Sequence, residues 1–206
     1  MTADPPPEPQ AFEAALRTAL TEAEAAPDTE AALHALARVA HRRLGDPAAR
    51  VQAGERAYRI AGVFLVTPDR RCNMLVGGIG FPPEQRRLKI PIGWNHPGHV
   101  VATGRPILIR DTNAEAARFR QFLKSSRMGS AVYAPIRSGG ELIGQIVAAA
   151  QARFCYAEAD LARLELLAAA AGLVWSAKGG AGWLAADYPA PDAWRAQEHG
   201  QGEAIA

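Results

Sequence analysis

The chain has little of what would place it in several large protein classes. No stretch of about 18 consecutive apolar residues occurs in its 206 residues, so no helix is expected to span a membrane. The opening MTADPPPEPQ lacks the basic start and apolar core of a secretory signal, and the expected location is the cytoplasm. Only two cysteines are present, Cys72 and Cys155, too few for a disulfide framework or a thiolate metal cluster. Both read as small buried or half-buried thiols. No internal repeat is visible, which removes the repeat architectures. What is there is an apolar fraction of 49%, enough to fill the core of one domain of roughly 150 residues with extensions.

Charge is unevenly spread. Residues 1–49 hold 4 Lys/Arg against 8 Asp/Glu, residues 50–153 hold 16 against 6, and residues 154–206 hold 3 against 7. A basic middle between acidic ends favours an anionic ligand or partner at the middle, or ends that fold back on it. Of the 16 basic residues in the middle, 14 are arginine, so part of the excess reflects an Arg-rich composition.

The most informative stretch is Met128 to Ala150, MGSAVYAPIRSGGELIGQIVAAA. Alternation up to Arg137, a break at Ser138-Gly139-Gly140-Glu141 and an apolar second arm predict a β-hairpin whose second strand is central and buried on both faces. Upstream, a helix with a thin apolar stripe is expected from Phe12 to about Ala25. A firmer helix follows, capped at Asp28 or Thr29 and stopped by Gly45-Asp46-Pro47. Strands are expected at Arg59–Thr67 and Cys72–Phe81. The three glycines of the second imply a bulge, a bend or a surface pressed on its backbone. Glu84–Ile92, with Arg87 and Lys89 alternating with Leu88 and Ile90, suits an edge strand. An irregular Gly93–Gly98, a short helix His99–Thr103 closed by Gly104, a short strand at 106–109 and a helix at 114–124 complete the approach to the hairpin. A long helix with Glu158 and Asp160 in its first turn runs to about Ser176. The domain division is then a disordered lead and weak helix at 1–27, a domain at 28–177, and a flexible tail at 178–206 carrying Trp183, Tyr188 and Trp194. The order is α/β (α+β), an antiparallel sheet with flanking N- and C-terminal helices.

Several of these stretches are familiar together. Gly98-His99-Val100-Val101-Ala102-Thr103-Gly104-Arg105-Pro106-Ile107-Leu108-Ile109-Arg110-Asp111, then Met128 to Ile136, then Gly140-Glu141-Leu142-Ile143-Gly144, then Phe154 and Asp160-Leu161 follow in order. From about Glu30 to Ser176 the chain resembles a GAF domain, the sensory fold of phosphodiesterases, phytochromes and many bacterial regulators. The resemblance implies a GAF/PAS-like sheet with the ligand over one face, under the segment that links the third strand to the hairpin. In this sequence the ligand-binding candidates so implied are Trp94, Asn95, His96, His99, Arg105, Asp111, Phe119, Phe122 and Met128. Aromatic rings beside a few polar groups are what a small-molecule pocket contains. Phe119, Phe122 and Met128 are equally suited to the core.

The family's known activities are tested by absence. Methionine-sulfoxide reductases of this fold place a cysteine beside the glycine that opens the short helix and another in the following loop. Here Pro97 precedes Gly98 and the loop holds no thiol. Neither cysteine has the context of a bilin attachment site, and the cyclic-nucleotide signature of phosphodiesterase members is absent. His96 and His99 are two ligands at most, too few for a closed metal site. No nucleophile, metal site or paired acid and base emerges, so the chain is expected not to be an enzyme, with its cofactor, if any, unassigned. The expected function is a stand-alone regulatory module, homodimeric, binding a small anionic or aromatic ligand and signalling to a partner protein in trans. The alternative is an adaptor without a ligand, using the basic face or the tail. Membrane and nucleic-acid partners are not expected, since basic residues without a reading element give only non-specific attraction.

Overall fold

The computed structural model describes residues 9–51, 57–114 and 127–187. The sheet grows from the hairpin. Gly139 and Gly140 both take positive φ, 58° and 85°, and reverse the chain between β5 (Ser130–Ser138) and β6 (Glu141–Ala150). Side chains at both positions would be strained, which is why two glycines stand there. β6 pairs with β5 on one side and with β1 (Arg59–Val66) on the other, so its apolar run is central as its composition requires. β2 (Cys72–Ile79), β3 (Lys89–Pro91) and β4 (Ile107–Ile109) complete a fully antiparallel sheet in the order β3-β2-β1-β6-β5-β4.

Helices α1 (Pro9–Ala25), α2 (Thr29–Arg43) and α4 (Glu158–Ala177) cover one face. Asp28 caps α2 by accepting from the Ala31 amide at 2.8 Å. α1 begins at Pro9, earlier than the Phe12 expected, because a proline in the first turn forfeits no hydrogen bond. Of the purposes that the glycines of β2 suggested, a bulge is present beside them and a surface is pressed on their backbone. A bulge falls at Val76, and a Cβ at Gly77 would come within 3.0 Å of the His34 amide on α2. At Gly78 it would come within 2.8 Å of the Phe81 ring. Helix and strand therefore meet backbone to backbone at Gly77. Likewise, a Cβ at Gly172 of α4 would fall on the Arg137 carbonyl of β5.

The other face is covered by α3 (Asn95–Thr103), which packs on β5 and β6. Gly104 ends α3 at φ 62°, with its amide on the Val100 carbonyl at 2.8 Å. Gly93–Gly98 is not irregular throughout, since α3 starts at Asn95 and takes Pro97 into its first turn, where its missing N–H is not needed.

Three further expectations are corrected. Glu84–Ile92 is not one edge strand. Pro83–Gln85 forms a 3-10 turn and only Lys89–Pro91 pairs with β2. β3 is the edge strand of the sheet, as expected, yet Arg87 and Lys89 are buried. Arg87 has a φ of 57°, which carries its guanidinium inward to Glu30 at 2.7 Å and under the Trp183 ring at 5.2 Å. The aromatic tail expected over 178–206 starts as a helix, α5 (Gly180–Asp187), docked on the domain. Its Leu184 is buried and Trp183 meets Trp175 edge-on at 6.5 Å. Tyr188 and Trp194, residues 1–8 of the lead and the helix expected at 114–124 lie outside the described residues, except for Ala114, which is in a turn.

Candidate functional site

Alternation along the strands decides what faces α3. Ile60 and Phe64 of β1, Leu75 of β2, Ala131 and Tyr133 of β5, and Val147 and Ala149 of β6 form one apolar cluster on that side, with Val100 of α3 and Met128 closing over it. Trp94, the residue before α3, packs against its edge. Within this apolar setting lie four polar side chains.

Tyr133 and His96 meet with ring centroids 6.1 Å apart. Both are buried, and burial pushes the Tyr133 phenol well above its ordinary range, so it is a neutral O–H at any working pH. Gln145, opposite Phe64 and Pro135 in the sheet, is closed to solvent and donates from Nε2 to the Pro97 carbonyl at 3.3 Å. Its Oε1 has no partner among the described residues. Asn73 of β2 shares the face through its alternation with Leu75. It is likewise closed to solvent, and neither Oδ1 nor Nδ2 finds a partner among the described residues. An amide buried without its hydrogen bonds costs about 1–3 kcal/mol per unsatisfied group. Both amides lie on the face that α3 covers, Gln145 against Pro97 of α3 and Asn73 two strands away on β2, and each keeps atoms able to bond a small polar molecule.

The end of this region is fastened separately. Thr112 donates from Oγ1 to the Met128 carbonyl at 2.8 Å and from its amide to the Gly129 carbonyl at 2.9 Å, which brings the two ends of the loop between β4 and β5 together. Asp111 accepts from the Asn113 amide at 2.9 Å, a side-chain bond that holds the start of the following loop. Its other oxygen takes Arg153 at 3.4 Å.

The candidates drawn from the sequence thus separate. Trp94, His96 and Met128 come together under or beside α3. Asn95 is the first residue of α3, His99 and Arg105 are exposed, and Asp111 is engaged with Arg153 away from the cluster. Phe119 and Phe122 lie outside the described residues. His96 and His99 do not act as a pair, one being buried and the other exposed, and no group of three metal-ligating side chains occurs among the described residues. Asn73, Tyr133 and Gln145 were not anticipated. Their signal was a polar residue interrupting a strand that is otherwise apolar, as Gln145 interrupts LIGQIVAAA.

The thiols stand apart from this face. Cys155 belongs to the core under the helices, with its Sγ 3.7 Å from the Asp46 carbonyl, and burial pushes its thiol up.

Known structures share this architecture. The GAF domain of an Acinetobacter phosphoenolpyruvate-protein phosphotransferase superposes with a TM-score of 0.67 at 12% identity, covering 84% of this chain and 96% of that one. The corresponding domain from Coxiella burnetii gives 0.65 at 23% identity, covering 82% and 96%. A free methionine-R-sulfoxide reductase from Neisseria meningitidis, in complex with its substrate, gives 0.67 at 21% identity, covering 88% and 96%. That last likeness corrects the expectation that the chain is not an enzyme, because an enzyme is built on this very fold and catalysis stays open to this chain. Among curated proteins none matches. The model of the GAF domain family matches residues 28–177, more than half of the sequence, and the chain belongs to that family.

Proposed function

We propose that the chain is a GAF-type regulatory module that binds a small ligand, anionic or aromatic, between the sheet and α3 and passes its occupancy to a partner protein. One observation carries this reading: the amides of Asn73 and Gln145, closed to solvent and incompletely bonded, on the same face as His96 and Tyr133. Polar groups retained in a core at such a cost, with atoms left unbonded, are what a ligand site keeps. The free state of both cysteines supports a reducing compartment, the cytoplasm.

The module works as a homodimer in this reading. Ala159, Ala162, Leu166, Ala169 and Leu173 recur on α4 at spacings of three and four and none is buried. Leu166 and Leu173 are 57% and 74% exposed, on a helix whose opposite side already fills the core. An apolar seam of that period fits a second copy of the same helix. The same seam favours a second reading, an adaptor that needs no ligand.

Native mass spectrometry of the protein purified from its own host, compared with the denatured sample, tests both. A dimer carrying a small mass that leaves on denaturation is expected. A bare dimer supports the adaptor, and a bare monomer removes both readings of α4.

A further inference from the structure

At one end of the sheet, away from α3, four chain segments meet around a cavity of 220 Å³. They precede β1 and β5 and follow β4 and β6. Three of the lining side chains are arginines, Arg50, Arg127 and Arg153. Guanidinium groups that line one hollow favour an anion among them. Asp111, beside the cavity, supplies a single carboxylate, which is divided between the Asn113 amide and Arg153. Arg50 has no ion pair among the described residues.

The fourth feature is Phe154 on the same lining. Phe154 is 64% exposed, and among the described residues it is the one exposed phenylalanine, tyrosine or tryptophan. Its backbone stands at φ 56°, a region that a bulky residue enters only under strain, and its amide is held there by the Arg110 carbonyl at 2.7 Å. A core residue would repay that strain by burial. Phe154 does not, so its ring is presented to something from outside. Below it, the Gln151 Oε1 is buried without a partner among the described residues.

We propose that this cavity is a second ligand site, separate from the face under α3, for a planar ring carrying an oxyanion: an aryl carboxylate or an aryl phosphate. The ring stacks on Phe154, and the oxyanion lies among Arg50, Arg127 and Arg153. The cavity is smaller than the roughly 300 Å³ at which drug-sized sites begin, which suits one ring and its charged group. Met128 belongs both to this lining and to the cluster under α3, so the two sites share a wall. The inference does not depend on a ligand under α3.

Calorimetric titration of the full chain with benzoate, phenyl phosphate, cyclohexanecarboxylate and inorganic phosphate tests it. Benzoate or phenyl phosphate is expected to saturate at one per chain, and the tighter of the two identifies the oxyanion. Cyclohexanecarboxylate, which lacks the flat ring, and inorganic phosphate, which lacks any ring, are expected to bind roughly tenfold more weakly or worse. Arg50→Ala is expected to lower affinity about tenfold. Phe154→Gly is expected to do the same while raising the melting temperature, because glycine relieves the backbone and the ring contributes nothing buried. Absence of saturable binding up to about 10 mM overturns the proposal. So does wild-type affinity in either variant, equal binding of the ringless or saturated probes, or a lower melting temperature for Phe154→Gly.

Discussion

The two faces of the sheet are packed by different rules. Under α1, α2 and α4 the side chains are apolar and closed, with Leu33, Leu36, Val63, Ile146, Leu164 and Leu167 showing no exposure. Two of the buried polar groups on that side are answered by backbone atoms. Asp160 accepts from the Gly45 amide at 2.8 Å and the Ala157 amide at 2.9 Å, and Ser130 donates to the Ala152 carbonyl at 2.6 Å. On the other face α3 is the one helix among the described residues, and it covers a cluster in which Asn73 and Gln145 keep unanswered atoms. A sheet has two faces but needs only one complete core to fold. Once three helices have supplied it, the second face can carry groups that weaken packing and serve recognition.

Removing side chains on the helix face should break this comparison most severely. Leu167→Ala empties a fully enclosed site and is expected to cost about 2–5 kcal/mol in urea denaturation, with no change in any ligand carried by the protein that remains folded. Gly172→Val is expected to act through the backbone instead, lifting α4 from the Arg137 carbonyl, and to give a loss of the same order. If either variant kept wild-type stability, the helix face would not be the one that holds the fold.

A smaller effect is expected at α5, which extends the helix face beyond the family's own boundaries. Trp183→Ala removes the edge contact with Trp175 and the stacking over Arg87, together worth about 1–2 kcal/mol. A truncation after Lys178 with unchanged denaturation midpoint would show that α5 is only resting on the domain.

The two faces also differ in how far they were legible from sequence. Spacing and punctuation reported the helix face and the sheet well: Gly139-Gly140 at the hairpin, Asp28 at the head of α2, Gly104 at the end of α3, and the glycines of β2 under α2. Such signals are local, so a chain read in order contains them. The site was less legible because its members are brought together by strand pairing. Gln145 meets Pro97 across 48 residues, and Tyr133 meets His96 from another element, so no window of sequence holds both partners. Arg87 misled for a similar reason. Its alternation with Leu88 suggested an exposed edge, but Glu30 and Trp183, distant in sequence, draw it inward. Trp183 was legible as an aromatic and not as a partly buried anchor, since its partners are Trp175 and that same arginine.

On the α3 face the sign of the effect should reverse. Asn73→Leu and Gln145→Leu replace an incompletely bonded amide by an apolar group of similar size. Stability is expected to stay constant or rise by up to about 1 kcal/mol, while the small mass seen by native mass spectrometry disappears. A loss of more than about 1 kcal/mol in both variants would mean that these amides are structural and that the faces are packed alike.

The smallest expected effect concerns protons and returns to the helix face. His34 and His41 lie on α2, and burial lowers both below their ordinary 6.5, with Arg38 adding to the shift at His34 and with Arg59 and Arg42 doing so at His41. At His41 a hydrogen bond with the backbone of Arg59 works the other way. A histidine whose folded pKa is depressed binds a proton in the unfolded chain before it does so in the folded one. Between its folded value and 6.5 the unfolded state therefore gains protons that the native state refuses. The stability due to these groups is complete above that window and is lost as pH falls through it, with no further loss once both states are protonated. Thermal denaturation at about pH 7.5 and about pH 5.5 should show a lower midpoint at the acid value, and His34→Gln should reduce the difference without abolishing it. A midpoint that rose on acidification would place favourable partners around these histidines.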